Sequence, residues 1–320
     1  MNIKSTLAGQ LVTVFGGSGY IGRYVAKNLL ARGAILRIAS RDPQQANTLE
    51  PLADPKQLHF FECDITNKES VAAALQNANY AINLVGAFEG NLTKLMGEAP
   101  GCMAKVAQEN GALGFVHVSA IGPDANSSAE YARGKALGET RVLEGFPNAT
   151  ILRPSIVFGP DDNFLNMFGQ MIKLAPALPV FGPNAKLQLV YAEDVAEAVA
   201  VSLENPDQHG GAIYELGGPD QLSMLEINQR IALAQGRKRA FLPMPDALSA
   251  LFAAMPLTPM SRDQWTLLKP GSTVSGAHRT FADLGIEPRA LSEFLDHWMR
   301  RFAKRTSGTS NSQSSNEAAT

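Results

Sequence analysis

LVTVFGGSGYIGR, residues 11–23, is the stretch on which the fold turns. Leu11–Phe15 is a short apolar run rich in β-branched residues, the pattern of a strand buried in a parallel sheet. Gly16, Gly17, Ser18 and Gly19 follow at once. From Tyr20 the spacing of Ile21, Val25 and Leu29 is helical, and Gly33 stands where that helix would stop. Strand, glycine turn and helix in succession form the context in which such a motif receives a pyrophosphate. The turn needs residues without a Cβ, and the phosphates must come close to the backbone. The first helical turn then offers unpaired N–H groups at its positive end. Gly16, Gly17, Ser18, Gly19, Tyr20, Ile21, Gly22 and Arg23 are the expected phosphate-side contacts of a dinucleotide.

Outward from this unit, residues 34–39 read as a second strand ending in Ser40, Arg41 and Asp42. An acidic residue at that tip suits the ribose 2′-OH of NAD, and an arginine suits the 2′-phosphate of NADP. Arg41, with Arg23 as a second cation, points to NADP(H) over NAD. Asp42, followed by Pro43, reads as a cap of the next helix. Residues 58–63 form a third strand closed by Asp64, and residues 80–85 a fourth that runs into Gly86 and Ala87. Helices are expected over 67–77 and 92–110. At the carboxyl ends of such strands, Asp64 and Ile65 would lie near the adenine, and Val85, Gly86 and Ala87 beside the dinucleotide. Asp64 reads equally well as a helix cap.

Residues 115–118 form a fifth strand with Ser119 at its tip. Tyr131 and Lys135 lie at i and i+4 on one helix face. A lysine beside a phenol favours the phenolate, and a tyrosine so tuned can exchange a proton with a substrate oxygen while hydride moves at a nicotinamide. Ser119 would hold that oxygen. The catalytic expectation is Ser119, Tyr131 and Lys135.

Composition narrows the class. Hydrophobic residues make up 45% of the 320 and charged residues 18%, which suits a globular protein able to bury a large core. A formal charge of −2 gives no electrostatic case for nucleic acid. Cys63 and Cys102 lie far apart without a CxxC pairing, so a reducing compartment is expected and a metal is not. No run suits a transmembrane helix, and the first ten residues lack the apolar core of a signal peptide. The expected location is therefore cytoplasmic.

Gly16-x-x-Gly19-x-x-Gly22, Asp64-Ile65, Ser119, Tyr131-x-x-x-Lys135 and Arg153-Pro154-Ser155 together resemble the short-chain dehydrogenase/reductase superfamily, in its extended or atypical branch. A narrower likeness covers nearly the whole chain. VFGGSGYIGRYV, HVSAIGPDANSSAEYARGKALGE, RPSIVFGPDDNFLNMF, PLTPMSRDQ and FADLGIEP are similar to the nucleotide-binding accessory subunit of respiratory complex I and its bacterial relatives. That resemblance implies a bound, structural NADPH, with Arg23 and Arg41 at its 2′-phosphate and Pro154 also beside the cofactor. It implies complex I as partner and a peripheral place on the cytoplasmic face of a bacterial inner membrane. Two other readings compete. One is an active NADP-dependent oxidoreductase or NAD-dependent epimerase/dehydratase-like enzyme acting on a carbonyl or sugar-like substrate. The other is a non-catalytic nucleotide or redox sensor.

The later chain reads more coarsely. Strands are expected over 150–153, 187–191 and 213–216, and helices over 161–174, 192–203 and 223–235. Phe164, Phe168 and Ile172 read as core, and Asp194 as a carboxylate placed for its helix dipole. The 247–265 segment is apolar and interrupted by prolines. Trp298, Arg300, Arg301, Phe302, Lys304 and Arg305 form a basic, aromatic helix end that suits either a helix C-terminus or an anionic lipid surface. Residues 306–320 read as a disordered tail. The expected architecture is α/β: a Rossmann-type doubly wound parallel sheet with strand order 3-2-1-4-5-6 and a smaller C-terminal lobe. Residues 1–155 form the nucleotide domain, and 156–305 a lobe interleaved with it.

Overall fold

A computed structural model of the chain describes residues 5–254 and 262–303. The opening stretch folds as its pattern dictates: β1 (Leu11–Phe15) is buried from Val12 onward and passes through the glycine turn into α1 (Tyr20–Ala31). Gly33 stands just past the helix with φ 79°. The next elements are β2 (Ile35–Ser40), β3 (Leu58–Glu62), α2 (Lys68–Leu75), β4 (Tyr80–Asn83), α3 (Ala99–Glu109), β5 (Gly114–Val118), α4 (Glu130–Gly145) and β6 (Thr150–Pro154). A π-wound turn over Thr93–Glu98 leads into α3, so the helix expected from residue 92 is present with an irregular start.

The chain continues through β7 (Val157–Phe158), α5 (Asn163–Leu174), β8 (Ala177–Val180), β9 (Lys186–Leu187), β10 (Val190–Tyr191), α6 (Ala192–Glu204) and α7 (Pro206–His209). It closes with β11 (Ile213–Leu216), β12 (Leu222–Ser223), α8 (Met224–Ala234), β13 (Ala240–Pro243), α9 (Asp246–Ala254), α10 (Arg262–Leu268) and α11 (Leu295–Met299).

The central sheet runs β3-β2-β1-β4-β5-β6-β11, every pair parallel. This is the expected order with a seventh strand added at the β6 edge. One face packs on α1 and α6 through Val25, Leu29, Val195 and Val199, all fully buried. The opposite face packs on α2, α3 and α4 through Val71, Met103, Phe115 and Val142. A third core, around Phe158, Ile172, Leu178 and Ile227, builds the smaller lobe.

The strand expected over 187–191 is two short pieces with different partners. β9 pairs with β12 and β10 with β7. An apolar run marks burial but not which neighbour supplies the ladder. Ile172 is fully buried, with Phe164 and Phe168 packed against the same core, as their spacing implied. The described part of the basic end packs on the smaller lobe. Trp298 stacks on Phe294 at 4.9 Å and lies near Phe158 and Tyr191. Arg301 donates to the Pro160 carbonyl and to Asn166 Oδ1. Lys304, Arg305 and residues 306–320 lie outside the described residues, as do residues 255–261 of the apolar, proline-broken segment.

Candidate functional site: a dinucleotide groove with a Ser-Tyr-Lys corner

The glycine turn has the geometry that a close-approaching ligand needs. Gly16 has φ 77°, and a Cβ there would meet the backbone of Leu84 and Val85 at 3.2 Å. At Gly22 a Cβ would sit 2.5 Å from the Gly17 carbonyl, so only glycine lets α1 pack on the turn. Gly19 is the N-cap of α1 and brings no side-chain cap, which leaves the first-turn N–H groups to a ligand. Ser18, Tyr20, Ile21 and Arg23 complete that turn.

At the tip of β2, Ser40 has a buried Oγ without a protein partner. Arg41 beyond it is exposed. Asp42 takes the N-cap position of the helical stretch Pro43–Leu52, but its carboxylate accepts from the Gln45 side chain at 3.0 Å and not from the backbone. At the tip of β3, Asp64 is not the cap of α2. Asn67 takes that place, accepting from the Ser70 N–H at 2.8 Å. Asp64 Oδ1 instead accepts from the Thr66 N–H and hydroxyl, at 2.9 and 2.8 Å. Those bonds first, and Arg41 more weakly, hold its carboxyl below the usual range. Ile65 is buried beside it. At the tip of β4, the Val85 N–H donates to Asn83 Oδ1 at 3.0 Å, and the chain turns outward through exposed Gly86 and half-buried Ala87.

The second half of the site lies at β5 and α4. The Ser119 N–H donates to the Leu152 carbonyl at 2.7 Å, which seats Ser119 at the end of β5, and the Ile121 N–H donates to the Pro154 carbonyl at 3.0 Å. Ser119 is 4% exposed, and its Oγ has no protein partner. Lys135, 3% exposed, donates from Nζ to the carbonyl of Val118 at 3.2 Å, one residue from Ser119. The same Nζ lies 5.8 Å from the centre of the Tyr131 ring. Lys135 therefore stands beside both the tip of β5, where Ser119 sits, and the Tyr131 ring.

The electrostatics run against the expected phenolate. Burial pushes the Tyr131 phenol up to about 12 and pulls Lys135 down to about 8, Glu139 partly offsetting the latter. Beneath them, His117 is held neutral: burial, then Lys135, lowers it to about 3. Asn83 Nδ2 contacts His117 Nδ1 at 2.9 Å. An amide nitrogen only donates, so the ring proton is assigned to Nε2.

Three participants were given no role by the sequence reading. Phe88, from the loop after β4, stacks on Tyr131 with ring centres 4.7 Å apart and planes 7° from parallel, while itself 66% exposed. Asp263 Oδ2 of α10 accepts the Glu130 N–H at 3.1 Å and so caps the helix that carries Tyr131. Arg153 binds Glu139 at 2.6 Å and contacts His278 and Glu215, fastening α4 to the sheet edge. The Arg-Pro-Ser motif was the one signal for the last; a contact across 133 residues and a lone loop phenylalanine leave none. Asp194 proves structural: it accepts from the Arg289 N–H and Nε, both at 2.8 Å.

The residues fit a nicotinamide dinucleotide on two counts: a cradle that a Cβ would fill, and the orphaned buried hydroxyls of Ser40 and Ser119 along one sheet edge. Among the described residues there is no group of acidic, histidine or cysteine side chains that could hold a metal, and no helix is long and apolar enough to cross a membrane. An open cleft of about 550 Å³ in the smaller lobe, lined by Pro183, Lys186, Met244, Trp265 and Lys269, includes none of the Ser-Tyr-Lys residues.

Known proteins share both fold and sequence. The chain is 32% identical over 305 residues to the rat (Rattus norvegicus) mitochondrial NADH dehydrogenase [ubiquinone] 1 alpha subcomplex subunit 9, covering 90% of this chain and 79% of that one. The Arabidopsis thaliana protein of the same name is 28% identical, covering 94% and 80%. An Escherichia coli NADPH-dependent quinone oxidoreductase, QOR2, solved with NADPH, superposes with a TM-score of 0.72 over 89% of this chain and 99% of its own, at 17% identity, which shows a shared fold. The NmrA-like family matches residues 8–261, from the strand before the glycine turn through the first part of the smaller lobe, and this chain belongs to it.

Proposed function

We propose that this protein holds NADPH in the groove above β1 to β6 and associates with, or helps assemble, a bacterial NADH:ubiquinone oxidoreductase at the cytoplasmic face of the inner membrane. The observation that carries the reading is the likeness to the complex I subunits along nearly the whole chain, smaller lobe included. The corner geometry supports holding over turnover. A proton donor works best with a pKa near the operating pH. Tyr131 is displaced to about 12 and its ring is covered by Phe88. Native-gel migration of the chain from gently solubilised membranes tests the reading. Co-migration with a complex I core subunit is expected; a small species absent from membranes overturns it.

Arg23 and Arg41 supply the preference for a 2′-phosphate, since guanidinium forks pair with phosphate oxygens. Replacing either by alanine is expected to weaken NADPH binding about tenfold and to leave NADH binding unchanged. Fluorescence titration of both nucleotides checks this, and an equal loss for the two would refute the assignment.

One specific observation favours a second reading, an active NADP-dependent reductase: Lys135 stands beside both the Ser119 end of β5 and the Tyr131 ring, and Ser119 Oγ is unpartnered. The nicotinamide would supply the hydride. Ser119 would hold the substrate oxygen, and Tyr131 Oη would give it a proton. NADPH consumption with a panel of carbonyl substrates, abolished by Tyr131→Phe, would establish it.

A further inference from the structure

The smaller lobe carries a two-stranded sheet whose outer face is apolar and exposed. β8 and β13 run parallel with Ala177 opposite Ala240 and Pro179 opposite Leu242. Side chains alternate across a strand, so these four share one face. All four are exposed, while Leu178 and Val180 between them are 2% exposed and point into the lobe's core. The apolar surface continues at both ends. Leu174, at the end of α5, is 73% exposed. Beyond β13, α9 is pinned by Phe252 stacked on Phe181 at 4.6 Å, and it leaves Leu248 and Leu251 at 48% and 60% exposure. Ser249 and Ala253, on its other side, are buried.

The charge around this face is mainly positive, and Asp246, the carboxylate that opens α9, is paired with Lys269 at 3.6 Å. Residues 163–192 and 227–245 contain six cations, Lys173, Lys186, Arg230, Arg237, Lys238 and Arg239, and no acidic residue, in a chain whose formal charge is −2. Lys186 and Arg230 are paired with Glu226 and Asp220. Arg239 Nε donates to the Ile172 carbonyl at 2.8 Å, which brings the 237–239 turn beside the end of α5. Lys173 and Lys238 are exposed there, next to Leu174.

We propose that this face, Leu174, Pro179, Leu242, Leu248 and Leu251 with Lys173 and Lys238 at its edge, docks on an anionic lipid bilayer. Apolar side chains enter the headgroup boundary, and unpaired cations at the rim meet lipid phosphates. The complementarity favours lipid over a second copy of the chain, because two such faces would set like charges together. The proposal deepens the membrane-side location proposed above by naming its surface, and it requires neither the nucleotide nor complex I. It also moves the lipid contact away from the basic end at residues 298–302.

Flotation of the full-length protein with vesicles of phosphatidylglycerol and phosphatidylcholine tests it. Binding is expected to the anionic vesicles at low salt, to fall at high salt and to be absent with pure phosphatidylcholine. Leu242→Asp, and separately Lys173→Glu with Lys238→Glu, are expected to weaken binding about tenfold or more with the melting temperature unchanged. Arg300→Glu is expected to bind like the parent. No flotation, equal binding by the two face variants, or concentration-dependent dimers lost in Leu242→Asp would each overturn the proposal. Failure here with intact co-migration on a native gel would remove the lipid surface and leave the complex I reading standing.

Discussion

Lys135 brings an ammonium into the interior, with one backbone carbonyl as its hydrogen-bond partner. Burial lowers its pKa from 10.5 to about 8, so its charged form is disfavoured in the folded protein relative to the unfolded chain. The sign follows. Below pH 8 both states are charged and the burial cost is present in full. Between pH 8 and 10.5 the folded protein releases its proton first, and the cost fades as pH rises. Lys135→Met should therefore stabilise the protein at pH 7 by about 2–3 kcal/mol, an advantage that shrinks towards pH 10.5. Urea melts of both proteins across that range measure it. A Met variant less stable at neutral pH would mean that the carbonyl contact outweighs the desolvation. An expensive buried cation that the fold would be better without is the mark of a residue kept for a ligand.

At the scale of the element, α4 decides where Tyr131 and Lys135 stand, and it is clamped on three sides. Asp263 caps its start, Arg153 grips Glu139, and Gly138 lies so close to the preceding π-turn that a Cβ would meet the Met96 carbonyl oxygen at 2.1 Å. Gly138→Ala should cost about 1–3 kcal/mol by overpacking, and it should weaken NADPH binding as well, because the helix that carries Tyr131 and Lys135 must shift off the Met96 carbonyl. Thermal melts and nucleotide titration report the two effects. A destabilised variant with unchanged affinity would show that the helix yields at its far end. The Tyr-x-x-x-Lys spacing was legible because i and i+4 share a helix face whatever the tertiary context. The clamps were not. Gly138 is one of three glycines in α4, and nothing local distinguishes it. Asp263 lies in the smaller lobe, where the stretch is apolar and broken by prolines. Phe88 sits in an irregular loop with no period to read. Glycine turn, strand tips and triad came from local rules. The packing that tunes their chemistry came from contacts distant in the chain, and the expected phenolate failed for that reason: spacing places Lys135 beside the ring, and burial sets the direction of the phenol's shift.

The whole molecule weaves its two units from one chain. The six-strand order was readable from strand, turn and helix succession, since parallel crossovers leave few arrangements. Strand pairing within 186–191 was not, because two-residue ladders carry no pattern. The sheet's seventh strand, β11, comes from residues 213–216, and α6, residues 192–204, covers the face that α1 shares. The chain then returns at Phe281 and Leu284 to close that same core. A cut at residue 155 would therefore remove half of one sheet face. Val25 and Leu29 would lose Val195 and Val199, and the backbone of β6 would become an open edge. Such a fragment still contains the glycine turn and Ser119, Tyr131 and Lys135, so sequence motifs alone would pass it as a nucleotide domain. The expected outcome is no cooperative thermal transition and no NADPH binding, read by circular dichroism and fluorescence. A fragment ending at residue 155 that melted cooperatively would show the first six strands to be a self-sufficient domain. The later segments would then be a separate addition to the groove and not part of its support.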